Sequence, residues 1–286
     1  MSTGPAGDVA RSTTRSTIRP HSETAAGDRP APLRTFLRAA DGVRIEAVYN
    51  RGDAVYDALT ASSDHPVFVV AHGFTGDVDR PHVRRVAAAF ARYGAVVTFS
   101  FRGHGRSGGR STVGDREVLD LAAAVAWARE RGHTRVVTVG FSMGGSVVLR
   151  HAALHPGDTD AVVSVSAPAR WYYRGTAPMR RLHWLVTRPA GRLIGRYGLR
   201  TRIHHRDWDP VPLSPVDAVP RIAPAPLLIV HGDRDGYFPV DHPLMLARAA
   251  GDHGELWLEP GMGHAEHAVT GELLARIGDW AVTGAG

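Results

Sequence analysis

Residues 135–153, RVVTVGFSMGGSVVLRHAA, decide the fold. Arg135–Val139 is a short run of β-branched residues, as expected of a strand buried on both faces. Gly144–Ala153 reads as a helix. Between them lies Gly140-Phe141-Ser142-Met143-Gly144-Gly145, a glycine-flanked serine at a strand-to-helix turn. Glycines on either side are required because any Cβ there would collide with the neighbouring strand or helix. Such a turn pushes the Ser142 side chain clear of the backbone. The helix N-terminus beyond it is placed to stabilise negative charge developing during attack.

Outward from this segment, strands and helices alternate. Thr35–Ala39 and Val43–Tyr49, separated by Asp41-Gly42, read as a β-hairpin. Pro66–Ala71 is a continuous apolar run, read as a strand covered on both faces. Ala95–Phe101 is read as a second buried strand, and Ala161–Ser166, Pro226–His231 and Glu255–Leu258 as further strands. Val83–Tyr93 and Val118–Glu130 carry helical spacing, and a last helix is expected from about Ala268 to Ala281. This alternation predicts an α/β fold, with a mostly parallel central sheet and helices on both faces.

Two stretches break the rhythm. Residues 1 to about 31 hold almost no large apolar side chain and are expected to be a disordered tail, leaving one domain over 32–286. From about 168 to 225 there is no strand pattern, only aromatics and many arginines. This segment is read as a helical cap inserted between two strands. Within it, Met179–Arg200 mixes leucines with arginines in the manner of a basic amphipathic helix, and Pro189 should break it. The expected arrangement packs its apolar face over the site; contact with an anionic membrane surface is the alternative.

Composition narrows the chemistry. There is no cysteine, so disulfides, cysteine-ligated zinc and a thiol nucleophile are excluded. The formal charge is +6, yet all 34 Lys+Arg residues are Arg, Gln is absent and Asn occurs only at Asn50. That bias reads as GC-rich coding rather than as a nucleic-acid-binding surface. With neither a secretory h-region nor a long apolar run, a cytoplasmic location is expected. Oligomeric state is not legible.

An unassisted serine hydroxyl is a weak nucleophile and needs a base that is itself oriented by an acid. His231-Gly232-Asp233-Arg234-Asp235 follows the strand PLLIV, and Gly261-Met262-Gly263-His264 follows ELWLE. Both groups therefore arrive at the carboxyl ends of strands, where sites gather in open α/β sheets. Asp233 and His267 are nearby competitors. Asp233 is read as bonding its own turn, and Glu266 and His267 as surface residues starting a helix.

With Ser142, Asp235 and His264 in this chain order, the sequence resembles the α/β-hydrolase superfamily, among its serine esterases and lipases. His72-Gly73-Phe74-Thr75-Gly76 resembles that family's oxyanion loop, and Phe101–Ser107 its G-H-G-x-S turn, read as shaping the pocket floor. The H-G-x-x-D spacing of the family selects Asp235, and the Gly-x-Gly-His turn selects His264. The resemblance implies a cofactor-free catalytic triad of Ser142, Asp235 and His264. It also implies backbone oxyanion donors at Phe74 and Met143, with Phe74 and Trp171 as substrate-binding side chains.

The implied substrate is a small-molecule acyl or aryl ester, as for carboxylesterases, feruloyl esterases or monoacylglycerol-lipase-like lysophospholipases. Thioester and C–C bond hydrolysis use the same triad. Chemistries with an aspartate nucleophile are disfavoured by Ser142, and a non-catalytic binding protein by the complete set. No metal is expected: the best cluster, His204-His205 with Asp207 and Asp209, lacks H-x-x-x-H or H-E-x-x-H spacing.

Overall fold

A computed structural model describes Met1 and residues 31–53 and 65–283. The tail expected to be disordered lies outside them, apart from its end residues.

The sheet is built from β1 (Leu33–Arg38), β2 (Arg44–Asn50), β3 (Val67–Ala71), β4 (Ala95–Phe99), β5 (Val136–Phe141), β6 (Ala161–Val165), β7 (Leu227–Gly232) and β8 (Gly254–Glu259). They pair in the order β1-β2-β4-β3-β5-β6-β7-β8. The β1–β2 hairpin and the β2–β4 pair are antiparallel, and the other pairs are parallel. Every residue of β3, β4, β5, β6 and β7 is buried, as mainly apolar runs require, and the polar Thr98, Thr138, Ser164 and His231 are buried with them.

The helices are α1 (Pro81–Phe90), α2 (Glu117–Glu130), α3 (Met143–Leu154), α4 (Ala177–Thr187), α5 (Pro189–Tyr197), α6 (Pro215–Ala218), α7 (Asp241–Ala250), α8 (Ala265–Ala268) and α9 (Gly271–Thr283). Alternate residues along β3 feed two separate cores. Val67, Val69 and Ala71 pack with Leu121 of α2, Val147 of α3 and Leu246 of α7. Phe68 and Val70 pack with Phe90 of α1 and Ile277 of α9 on the opposite face. The terminal helix expected from about Ala268 is α9 and begins at Gly271, because Val269, which ends the short α8, leaves the helical region at ψ 132°.

The serine turn depends on close backbone approach. A Cβ on Gly140 would lie 2.2 Å from the Gly144 carbonyl oxygen, and one on Gly144 would lie 2.2 Å from that of Ala71. Helix α3 thus leaves β5 at once and packs directly beneath β3. Ser142, between them, sits at φ 50°, ψ −113°, outside the favoured regions for a residue with a side chain.

Two buried imidazoles hold the loop after β3. His72 accepts the Phe101 amide at Nε2 (3.0 Å) and donates from Nδ1 to the Gly73 carbonyl (2.7 Å). His104 accepts the Thr75 amide at Nε2 (3.2 Å) and donates from Nδ1 to the Arg102 carbonyl (3.0 Å). The Phe101–Ser107 turn therefore braces this loop instead of forming a pocket floor. It is itself fixed by Arg102, paired with Asp120 and Asp41 at 2.7 Å each, and by Ser107, which accepts the Glu46 amide.

Burial pushes His72 down to about 3, helped by the charge of His104, and pushes His104 down to about 4. Both rings are neutral in the fold but take up protons near pH 6.5 once the chain unfolds. Their contribution to stability is complete above that value and is lost as pH falls toward 4, each at up to about 1.4 kcal/mol per pH unit. Denaturant unfolding should show a midpoint that drops steadily from pH 7 to pH 4.5. A midpoint independent of pH across that window would contradict this arrangement.

Candidate active site

Three side chains meet at the carboxyl ends of β5, β7 and β8. The Ser142 Oγ lies 2.9 Å from His264 Nε2, and His264 Nδ1 lies 2.7 Å from Asp235 Oδ2. Because Nδ1 faces a carboxylate, it carries the proton, which leaves Nε2 free to accept from the hydroxyl. The other Asp235 oxygen accepts the amides of Tyr237 (2.8 Å) and Phe238 (3.1 Å). Burial pushes the Asp235 carboxyl up. The hydrogen bond and charge of His264, with the two amides, outweigh it and hold the group below its ordinary value. Asp235 is 8% exposed, so its charge acts on the imidazole largely out of contact with water.

Asp233, the competing carboxylate, instead accepts the Gly261 amide at 2.6 Å and fixes the turn that precedes His264.

Groups not marked in the sequence complete the setting. The Tyr237 ring stacks on His264 with centroids 4.2 Å apart and planes at 26°. Ser166 Oγ accepts the Ala265 amide (3.1 Å), anchoring the backbone immediately after His264. Glu266, expected at the surface, is buried and accepts the Gly73 amide at 3.0 Å. It ties the His264 segment to the loop after β3, while His267 is exposed as expected. For Tyr237 and Glu266 the advance signal is proximity to Asp235 and His264 in sequence; Ser166, just past the end of β6, carries no such signal.

Phe74 lies between two anchored amides, Gly73 on Glu266 and Thr75 on His104. Met143 is the first residue of α3, where a backbone N–H has no acceptor within its own helix. Both residues line a cavity of about 550 Å³ that reaches Ser142, within the usual size for small-molecule sites. Trp171 lines it too, with Trp208, and Met179, Leu182 and Val186 of α4 form an apolar wall. The Trp171 indole donates to the Pro212 carbonyl (2.9 Å) and that of Trp208 to the Thr112 carbonyl (2.7 Å). With their polar edges engaged, the two indoles supply apolar ring surface. Arg170, Arg174 and Arg206 add cationic groups to the lining.

Helices α4 and α5 do not share one apolar face. Pro189 occupies the first turn of α5 and separates it from α4, as expected. Helix α5 docks through its glycines: a Cβ on Gly191 would lie 2.6 Å from the Leu185 backbone, and one on Gly195 would lie 2.9 Å from Ile203 Cδ1. Leu193, Ile194 and Tyr197 consequently face outward, 58%, 52% and 74% exposed, and Trp184 of α4 is 46% exposed. The expected packing over the site therefore holds for α4 but not for α5. Among the described residues, no helix is long and apolar enough to cross a membrane.

Residues 66–178 match the model of a family described as having the alpha/beta hydrolase fold. The monoacylglycerol lipase of Mycolicibacterium smegmatis is 30% identical over 249 residues, which cover 73% of this chain and 85% of that protein. Among solved structures, an esterase of Pyrococcus furiosus aligns with a TM-score of 0.68 at 23% identity, covering 89% of this chain and 91% of its own. Est1E of Butyrivibrio proteoclasticus aligns with a TM-score of 0.61 at 18% identity, covering 88% and 98%. At such identities the structural likeness shows the fold, whereas the extended match to the lipase shows kinship. The chain belongs to the α/β-hydrolase superfamily and is a hydrolase of its esterase and lipase type.

Proposed function

We propose that this enzyme cleaves carboxylic esters through an acyl-enzyme formed on Ser142. The observation that carries this reading is the unbroken hydrogen-bonded chain from Ser142 through His264 to Asp235, opening on an apolar cavity. Ser142 Oγ attacks the ester carbonyl as His264 Nε2 takes its proton. Asp235 holds the imidazole tautomer and stabilises the imidazolium. The Phe74 and Met143 amides receive the oxyanion, and His264 returns the proton to the departing alcohol. Water then repeats the sequence on the acyl-enzyme and releases the acid.

On this reading residues 168–225 act as a cap on a hydrolase domain spanning 32–286. Trp171, the Phe74 side chain and the inner face of α4 receive the hydrophobic acyl or aryl group.

The substrates that fit best are amphiphilic monoacyl esters, as acted on by the lipase relative. The exposed Trp184, Leu193, Ile194 and Tyr197 favour this, since they share α4 and α5 with Arg180, Arg181, Arg192 and Arg196, with Arg188 between the two helices. Apolar side chains interleaved with cations suit a surface of anionic lipid from which such an ester is drawn.

A fluorophosphonate probe should label the wild type at one serine and leave Ser142→Ala unlabelled; equal labelling of that variant would end the proposal. Asp235→Asn should keep the fold and lower turnover of p-nitrophenyl butyrate by about 10⁴-fold, because the imidazole loses its orienting charge. A loss under tenfold would remove Asp235 from the mechanism. Sedimentation with vesicles containing phosphatidylglycerol should bind the wild type at low salt, weaken with added NaCl, and fail for Leu193→Asp/Ile194→Asp. Absence of binding at low salt would refute the interfacial part of the reading.

A further inference from the structure

His82 is far in sequence from Glu266 and His267, but the three meet where the first turn of α1 packs against α8. We propose that these three residues bind a divalent transition-metal ion of the zinc type. Each offers one ligand atom, and the three atoms lie within 4.8 Å of one another. The His82 and His267 rings are 4.0 Å apart between centroids, with their planes at 49°. His82 Nε2 is 3.7 Å from Glu266 Oε1, too long for a hydrogen bond. Two donors on one tetrahedral zinc, each about 2.0 Å from the ion, stand about 3.3 Å apart.

The second observation is an orphan. His82 Nε2 is buried and has no hydrogen-bond partner among the described residues. A buried nitrogen without a partner is costly, and an unseen ligand is one of the few things that explains it. Two imidazoles and one carboxyl group are a recognised zinc donor set, with water as the fourth ligand.

The neighbours favour a prepared site over a chance cluster. Glu266 Oε1 is oriented by the Gly73 amide, and the Glu266 carbonyl accepts from Arg85 at 2.7 Å. Such outer contacts fix ligand orientation. Arg80, just before α1, is paired with Asp77 at 3.3 Å. His267 is exposed, which gives an ion its way in. A search of the sequence for paired histidines at helical spacing misses this arrangement, because the fold and not the local chain brings His82 to His267. An ion held here would tie α1 to the segment that carries His264, and through Glu266 to the loop that carries Phe74.

The test is calorimetric titration of tag-free, EDTA-treated and dialysed protein with zinc chloride, alongside thermal unfolding with and without zinc. The wild type should bind one ion per chain and its thermal midpoint should rise on loading. His267→Ala, a substitution at an exposed position, should weaken binding at least tenfold and abolish the rise; His82→Ala should do the same. The Co²⁺-loaded wild type should show the visible absorption of a four-coordinate ion, and His267→Ala should not. Absence of zinc binding to the wild type would overturn the proposal. So would binding of unchanged affinity in His267→Ala, which would place the ion elsewhere on this histidine-rich chain.

Discussion

Ser142 is held in a backbone conformation that side chains rarely adopt, and the site is organised around that one residue. Its amide donates to the Val165 carbonyl at 2.9 Å, and its own carbonyl accepts the Ser146 amide at 3.1 Å. The turn is thereby pinned to β6 on one side and to the start of α3 on the other. Only glycine fits at 140 and 144, since the β5–α3 corner and the end of β3 occupy the space a Cβ would need. Strain of this kind persists where the surroundings over-determine it. Here the fully buried central strands supply that rigidity.

Around this point the polar groups form a connected set. Asp235 is held by two amides, His264 is gripped by Asp235 and covered by Tyr237, and the next residue is anchored to Ser166. The loop bearing Phe74 is fixed from three directions, by His72, His104 and Glu266. Few of these groups need to move for a proton to pass between Ser142 and His264. Such preorganisation is what makes amide dipoles effective against developing charge. The proposed ion on Glu266 would act on the back of this same framework.

Much of this was legible in the chain because the relevant signals are local. Buried strands announce themselves as short, mainly β-branched apolar runs, and a glycine-flanked serine at a strand-to-helix boundary has few alternative uses. The family's H-G-x-x-D spacing points to Asp235 over Asp233. In the fold Asp235 bonds His264, while Asp233 accepts from Gly261 in the turn before His264 and not from its own turn. What stayed hidden depends on partners remote in sequence. Glu266 reads as a surface residue until the fold brings the Gly73 amide to it, and His104 reads as pocket lining until Thr75 is seen above it. The outward face of α5 is hidden from the sequence for a similar reason. Leucines ordinarily mark the packed side of a helix, but here Gly191 and Gly195 permit a closer approach and are the side that packs.

The central claim is that acyl transfer passes through the Ser142 oxygen, and a trapped intermediate tests it most directly. Turnover of p-nitrophenyl butyrate would be quenched in acid within milliseconds and the protein digested with trypsin. Cleavage at the flanking arginines yields the peptide Val136–Arg150. The account predicts a butyryl adduct in that peptide, resolved by fragmentation to Ser142 and not Ser146. An adduct on any other residue, or full turnover with no adduct formed, would contradict it.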